Sequence, residues 1–130
     1  MLENNQAVVV KETSSWEEAL EREKWVTPTV DIYETEDEFV LHTSMPGVSK
    51  ENVKIKVEDD SLVLMGRINY EEAKSRKYIL RESRIGNFYR KFKISDSIDI
   101  EKIDAELDNG KMVVVLPKNE RAKPRSIEIK

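Results

Sequence analysis

The stretch VKIKVE alternates strictly: Val53, Ile55 and Val57 are apolar, and Lys54, Lys56 and Glu58 are charged. A period of two puts the apolar trio on one face of an extended chain, which predicts a half-buried strand. Asp59–Asp60 make a tight turn into SLVLMG. There Leu62 and Leu64 alternate with Val63 and Met65, so both faces of that strand are expected to be covered. Upstream, Val30, Ile32 and Thr35 mark a strand in VDIYET, and EFVLHTSM follows as another. Pro46–Gly47 then suit the central positions of a type II turn. Downstream, KYILRE and FYRKFKI flank Gly86–Asn87, and AEL and KMVVVL flank Asp108–Gly110. Both read as hairpins, and Phe88, Phe92 and Ile94 fall on one face of their strand. Short strands between regularly spaced turns, with no long helical pattern, predict an all-β antiparallel sandwich.

Three stretches depart from that rhythm. Residues 1–26 form a polar N-terminal arm. Within it SSWEEALEREKW predicts a brief helix, with a capping box from Ser14 and Glu17 or from Ser15 and Glu18. Its apolar stripe is only Trp16, Ala19 and Leu20, too short to hold a helix unaided. Arg67 to Lys77, RINYEEAKSRK, is long and charged for a hairpin loop, and long loops in compact domains are functional or mobile. The sandwich spans 27–118. Residues 119–130 form a C-terminal extension, a charged, proline-bound linker that ends on RSIEIK. Ile127 and Ile129 are spaced to project from one face of an extended strand.

Composition narrows the function. The chain has 130 residues, 37% of them charged, and a net charge of −4. Mixed signs with a small acidic excess argue against a nucleic-acid surface. There is no cysteine, so thiol chemistry, disulfides and cysteine–zinc sites are excluded. The only early apolar run, Ala7 to Val10, is too short for a secretory signal, and no segment approaches a membrane span. A soluble cytoplasmic protein is expected. His42 is the only histidine and sits inside a strand pattern, which suits a structural side chain better than a general base. No serine lies in a nucleophile elbow, and no phosphate-binding glycine loop with lysine is present. No pair of acids stands out as catalytic. The chain reads as a non-enzyme without a cofactor.

The order of four stretches carries a resemblance. MPGVSKENVKIKVEDDSLVLMG, GNFYRKFKI with Phe88, Arg90 and Phe92, AELDNGKMVVVLPK, and the final IEI resemble, in sequence, the motifs of the small heat-shock protein (alpha-crystallin) family, bacterial and plant branch. The resemblance covers about residues 27–130. Lys111 and Met112 stand where the family signature has valine and leucine. Lys111 is expected to face water, and Val113 and Val115 either to be buried further or to leave a sticky face.

The resemblance implies an immunoglobulin-like sandwich and an ATP-independent holdase that binds unfolding client proteins and works as a homo-oligomer of dimers. A monomeric co-chaperone or adaptor on a similar sandwich is the alternative. It also implies that Arg67 to Lys77 carries a strand exchanged with a partner subunit, with Ile68 and Tyr70 as its apolar anchors. For the tail, a matching receptor is an aliphatic groove between two strands. Val53, Ile55 and Val57 are expected on one side, with Met112, Val114 and Leu116 on the other. Leu2, Val8, Val9, Val10, Trp16, Leu20 and Trp25 are apolar groups on an arm that cannot form its own core. They are expected either to contact clients and other arms or to pack on their own sandwich.

Overall fold

The computed structural model describes residues 16–123. Two four-stranded sheets face each other. One runs β1 (Trp25–Val26), β6 (Asn87–Lys93), β5 (Ser61–Gly66), β4 (Val53–Glu58). The other runs β2 (Val30–Glu34), β3 (Glu38–Ser44), β8 (Lys111–Pro117), β7 (Asp104–Asp108). All pairings are antiparallel except the short parallel pair of β1 with β6. The expected sandwich is present, with β1, β4, β2 and β7 as its edges.

The core follows the alternation. Leu41, Leu62, Leu64, Met112, Val114 and Leu116 are buried between the sheets with Met45, Val48 and Ile98. Phe88, Phe92 and Ile94 pack against them from β6 and its end. The second face of β5 is covered as well, since Val63 and Met65 are buried. The cover is the arm. A helix over 16–22, α1, sets Trp16 over Lys54, and Trp25 meets Tyr89 edge-on at 6.4 Å. Lys54, Met65 and Tyr89 form one row across β4, β5 and β6, so the arm lies along that row.

The turns obey their residue chemistry. Gly47 takes φ 86°, the value a type II turn demands after proline. Asn109 and Gly110 both have positive φ, which matches the right-handed twist of the β7–β8 hairpin. Asp59 takes φ 54° in the turn joining β4 to β5. The lone His42 is exposed and stacks on Tyr33 at 5.6 Å. Lys111 is exposed, and Val113 and Val115 are half-buried on the outer face.

The stretch from 67 to 86 differs from the expectation. No strand forms there. Residues Tyr70–Ser75 make a short helix, α2. The Asn69 side chain accepts from the Glu72 amide, Glu71 and Glu72 sit in the first turn and Lys74 in the last. That arrangement complements the helix dipole. A single chain has no partner strand here, and a helix closes its backbone hydrogen bonds locally. The KYILRE–FYRKFKI hairpin is also absent. Residues 77–86 are irregular, and Asn87 donates its backbone N–H to the Lys24 carbonyl at 2.9 Å. Gly86 permits that approach, because a Cβ there would meet Lys24 O at 3.0 Å and Val26 Cγ1 at 2.9 Å.

Candidate functional site

Two features of the sandwich are left open at its edges. The first is a groove between β4 and β7. Val53, Ile55 and Val57 are half-buried and line one wall, as the alternation requires. The other wall differs from the expected trio. Met112, Val114 and Leu116 are 1%, 0% and 3% exposed. They belong to β8, an inner strand between β3 and β7, and their side chains fill the core. Only Met112 reaches the floor of the groove. The true second wall is Ile103, Ala105 and Leu107, on and just before edge strand β7. Two hollows of about 570 and 420 Å³ share Ile55 and Ala105, so the groove runs continuously along the two edges. The period-two alternation in IDAEL was the available signal.

The second feature is edge strand β2 and the segment after α2. The outer ladder of β2 has no neighbour among the described residues, and Ile32 and Tyr33 are each half exposed. Ile79 is fully exposed and Leu80 is 76% exposed. They are the most exposed large apolar side chains described. Of the expected anchors, Ile68 packs against the chain's own core and Tyr70 sits in α2 under Lys74. In the single chain the expected anchors pack on their own chain, and the apolar pair left exposed is Ile79 and Leu80. That exposed pair lies in KYILRE, the stretch whose pattern predicts a hairpin strand.

The arm is held by polar contacts as well as by its rings. The Trp25 indole N–H donates to the Ala19 carbonyl at 2.7 Å, and Trp16 lies 6.5 Å from Trp25. Glu23 pairs with Arg67 at 3.4 Å and accepts from the Asn87 side chain at 2.7 Å. Of the predicted arm contacts, Trp16 and Trp25 pack on the chain's own sandwich, and Leu20 stays 47% exposed. Leu2, Val8, Val9, Val10, the serines of the capping box, Ile127 and Ile129 lie outside the described residues. The extension leaves β8 along a defined path. Lys118 and Asn119 bond through their backbone N–H groups to Asp37 and Ser97, and a short 3-10 turn follows over Glu120–Ala122.

Among the described residues, no three His, Asp or Glu side chains gather to hold a metal, and no helix is long and apolar enough to cross a membrane.

Comparison with known proteins gives the same picture. Residues 31–130 match the Hsp20/alpha crystallin family. The chain is similar to the 17.5 kDa class I heat shock protein of Glycine max, with 35% identity over 113 residues, 84% of this chain and 74% of that one. Among solved structures it is similar to heat shock protein 16.0 from Schizosaccharomyces pombe, with 30% identity and a TM-score of 0.64, covering 81% of this chain and 99% of that one. It is also similar to a small heat-shock protein from Xylella fastidiosa, with 28% identity and a TM-score of 0.65, covering 81% and 97%.

Proposed function

The chain belongs to the Hsp20/alpha crystallin family, whose chaperone role it shares, and from that premise we propose that it is an ATP-independent holdase assembled from dimers. It binds unfolding cytoplasmic proteins before they aggregate. The observation that carries the reading is the continuous apolar groove along β4 and β7, open in the single chain. A surface of that kind needs a cover, because exposed apolar patches drive association. The extension supplies one: Ile127 and Ile129 dock against Val53, Ile55 and Val57 on one wall and Ile103, Ala105 and Leu107 on the other. From Ala122 to Ile127 the chain spans at most about 17–18 Å, so the tail serves a groove near its own exit or on an adjoining subunit.

The dimer forms at β2. Its free ladder accepts an extended segment of a second copy, and Ile79 and Leu80 bring the apolar side chains. Helix α2 is then the form that the excursion takes without a partner. Leu20 and the apolar residues of the arm beyond the described part add client-binding surface.

The test is to heat a labile enzyme with and without the protein and to follow light scattering. Protection at stoichiometric ratios without nucleotide is the expected result. Protection that needs added ATP, or none at all, would reject the holdase reading.

A further inference from the structure

The groove along β4 and β7 is apolar on both walls, but its two ends differ in charge. Val53 and Leu107 share one hollow with Ile55 and Ala105, and Val57 and Ile103 share the other with the same pair. The two strands therefore run in opposite directions along the groove. The hollow at Val53 and Leu107 is lined by two carboxylates, Glu106 and Asp108, and one cation, Lys50. The hollow at Val57 and Ile103 has Lys56 as the one charged group on its lining. Among the described residues Glu106 and Asp108 have no ion-pair partner, and Lys56 has only an exposed contact with Glu58 at 3.7 Å. The dimer proposed above forms at β2 and reshapes residues 67–86, so it leaves both walls of the groove as they are.

The tail has a charge order of its own. In extended form Arg125, Ile127 and Ile129 project from one face, and Glu128 and Lys130 from the other. Arg125 precedes the isoleucines on the face that enters the groove, and Glu128 stands between them on the rim.

We infer that charge sets the direction of the docked tail. It runs parallel to β4, with Ile127 in the hollow at Val53 and Leu107 and Ile129 in the hollow at Val57 and Ile103. The spacing fits, because alternate residues of an extended strand are about 6.4–6.8 Å apart in the tail and in β4 alike. Arg125 then meets Asp108 and Glu106 at the acidic end, where a guanidinium fork suits a carboxylate. Glu128 meets Lys56. In the reverse direction Arg125 lies against Lys56 and loses both carboxylates. Exposed contacts of this kind are individually weak, but reversal exchanges an attraction for a repulsion, and every tail in an assembly repeats the choice.

The same direction selects whose tail enters. Val115 pairs with Asp104 and Lys111 with Asp108, so β8 leaves the sandwich beside the start of β7. A chain's own tail arrives at the Lys56 end and would lie antiparallel to β4. A tail that runs parallel to β4 comes from the opposite end, from a neighbouring subunit.

The inference rests on the tail docking proposed above. The chain has no cysteine, so engineered pairs in the full-length protein report without background. Ser49 precedes Lys50 at the acidic end, Ile100 lines the other hollow, and both are exposed. With a short bis-maleimide cross-linker, Ser126→Cys with Ser49→Cys is expected to join subunits, and Ser126→Cys with Ile100→Cys is not. Charge reversal gives a second readout. Arg125→Glu is expected to raise the protein concentration at which the assembly half-dissociates about threefold or more. Adding Glu106→Lys with Asp108→Lys is expected to restore the parent value, whereas adding Glu58→Lys is not. Joining of 126 to 100 in preference to 49, joining to neither, or rescue at 58 in place of 106 and 108 would overturn the direction. An assembly mass unchanged in Ile127→Ala with Ile129→Ala would instead remove the docking itself, and the direction with it.

Discussion

Asn87 is fully buried, and its three bonds reach the arm twice and the excursion after β5 once. Its side chain accepts from the Ile68 amide at 3.0 Å and donates to Glu23 at 2.7 Å, while its backbone N–H bonds to Lys24. One amide therefore joins the arm, the start of β6 and the excursion after β5. Asn87→Ala removes the partner of the Ile68 N–H and one of the partners of the Glu23 carboxylate in a part-buried setting. Each such group costs about 1–3 kcal/mol. We expect a clear fall in melting temperature, read by circular dichroism; a melting curve that overlays the parent would mean that the hub contributes nothing. Gly66 is constrained in another way. A Cβ there would lie 2.7 Å from Met45 Sδ and 3.2 Å from Val48 Cγ2, so the close packing at the end of β5 depends on its absence. Lys118 is buried at the opposite end, bonded to Glu34 at 2.6 Å and to the Thr35 carbonyl at 2.9 Å. It fastens the chain just beyond β8 to the end of edge strand β2.

In the proposed dimer, the excursion from 67 to 86 is the element that a partner would reshape. In the single chain its polar groups are closed by α2 and its cap, and Ile68 is drawn into the core. Ile79 and Leu80 remain in water. These two sites predict opposite phenotypes. Ile68→Ala opens a cavity and is expected to cost about 2–4 kcal/mol in stability while leaving dimers intact at low temperature. Ile79→Lys with Leu80→Lys removes apolar area that the single chain does not bury. It is expected to leave the melting temperature of the monomer fold unchanged and to give monomers by light scattering on a sizing column. If the lysine variant still runs as a dimer, the interface is not at this segment. The groove has the converse logic: β4 and β7 are both edges, one from each sheet, and only edges can leave a gap for a third strand.

At the scale of the whole molecule, the proposed assembly by tail docking would rest on weak, repeated contacts. Burying one isoleucine contributes about 1.5–3 kcal/mol, so Ile127 and Ile129 together give about 3–6 kcal/mol before ordering costs. On the proposed docking, one tail is expected to bind weakly and exchange. Many tails in a closed assembly would hold through effective concentration, and heating would loosen them together. We expect Ile127→Ala with Ile129→Ala to convert a large oligomer mainly to dimers without loss of strand signal. Ile55→Glu in the groove is expected to do the same from the receptor side. Light scattering measures both masses, and an undiminished assembly in either variant would exclude tail docking in this groove.

Apart from the KYILRE strand and its turn at Gly86–Asn87, strand positions, turn types and the sandwich were legible because they are written in local chemistry. Alternation of period two, proline before glycine and Asn109–Gly110 each determine backbone geometry within a few residues. The short helix of the arm, with Trp16 and Leu20 on it, was legible for the same reason. The identity of the groove's second wall was not. Lys111 to Pro117 and Asp104 to Asp108 both alternate, and only the strand order decides which of them is an edge. That order buries Met112, Val114 and Leu116 and leaves Ala105 and Leu107 on the rim. The fate of Ile68 against Ile79 and Leu80 was equally undecided by pattern, since all lie in one charged stretch between strands. Tertiary packing chose among them: Ile68 follows Gly66 directly onto the core, while Ile79 and Leu80 are carried clear of it by α2. The charge order of the groove also needed the fold, because the opposed run of β4 and β7 sets Glu106 and Asp108 at one end and Lys56 at the other.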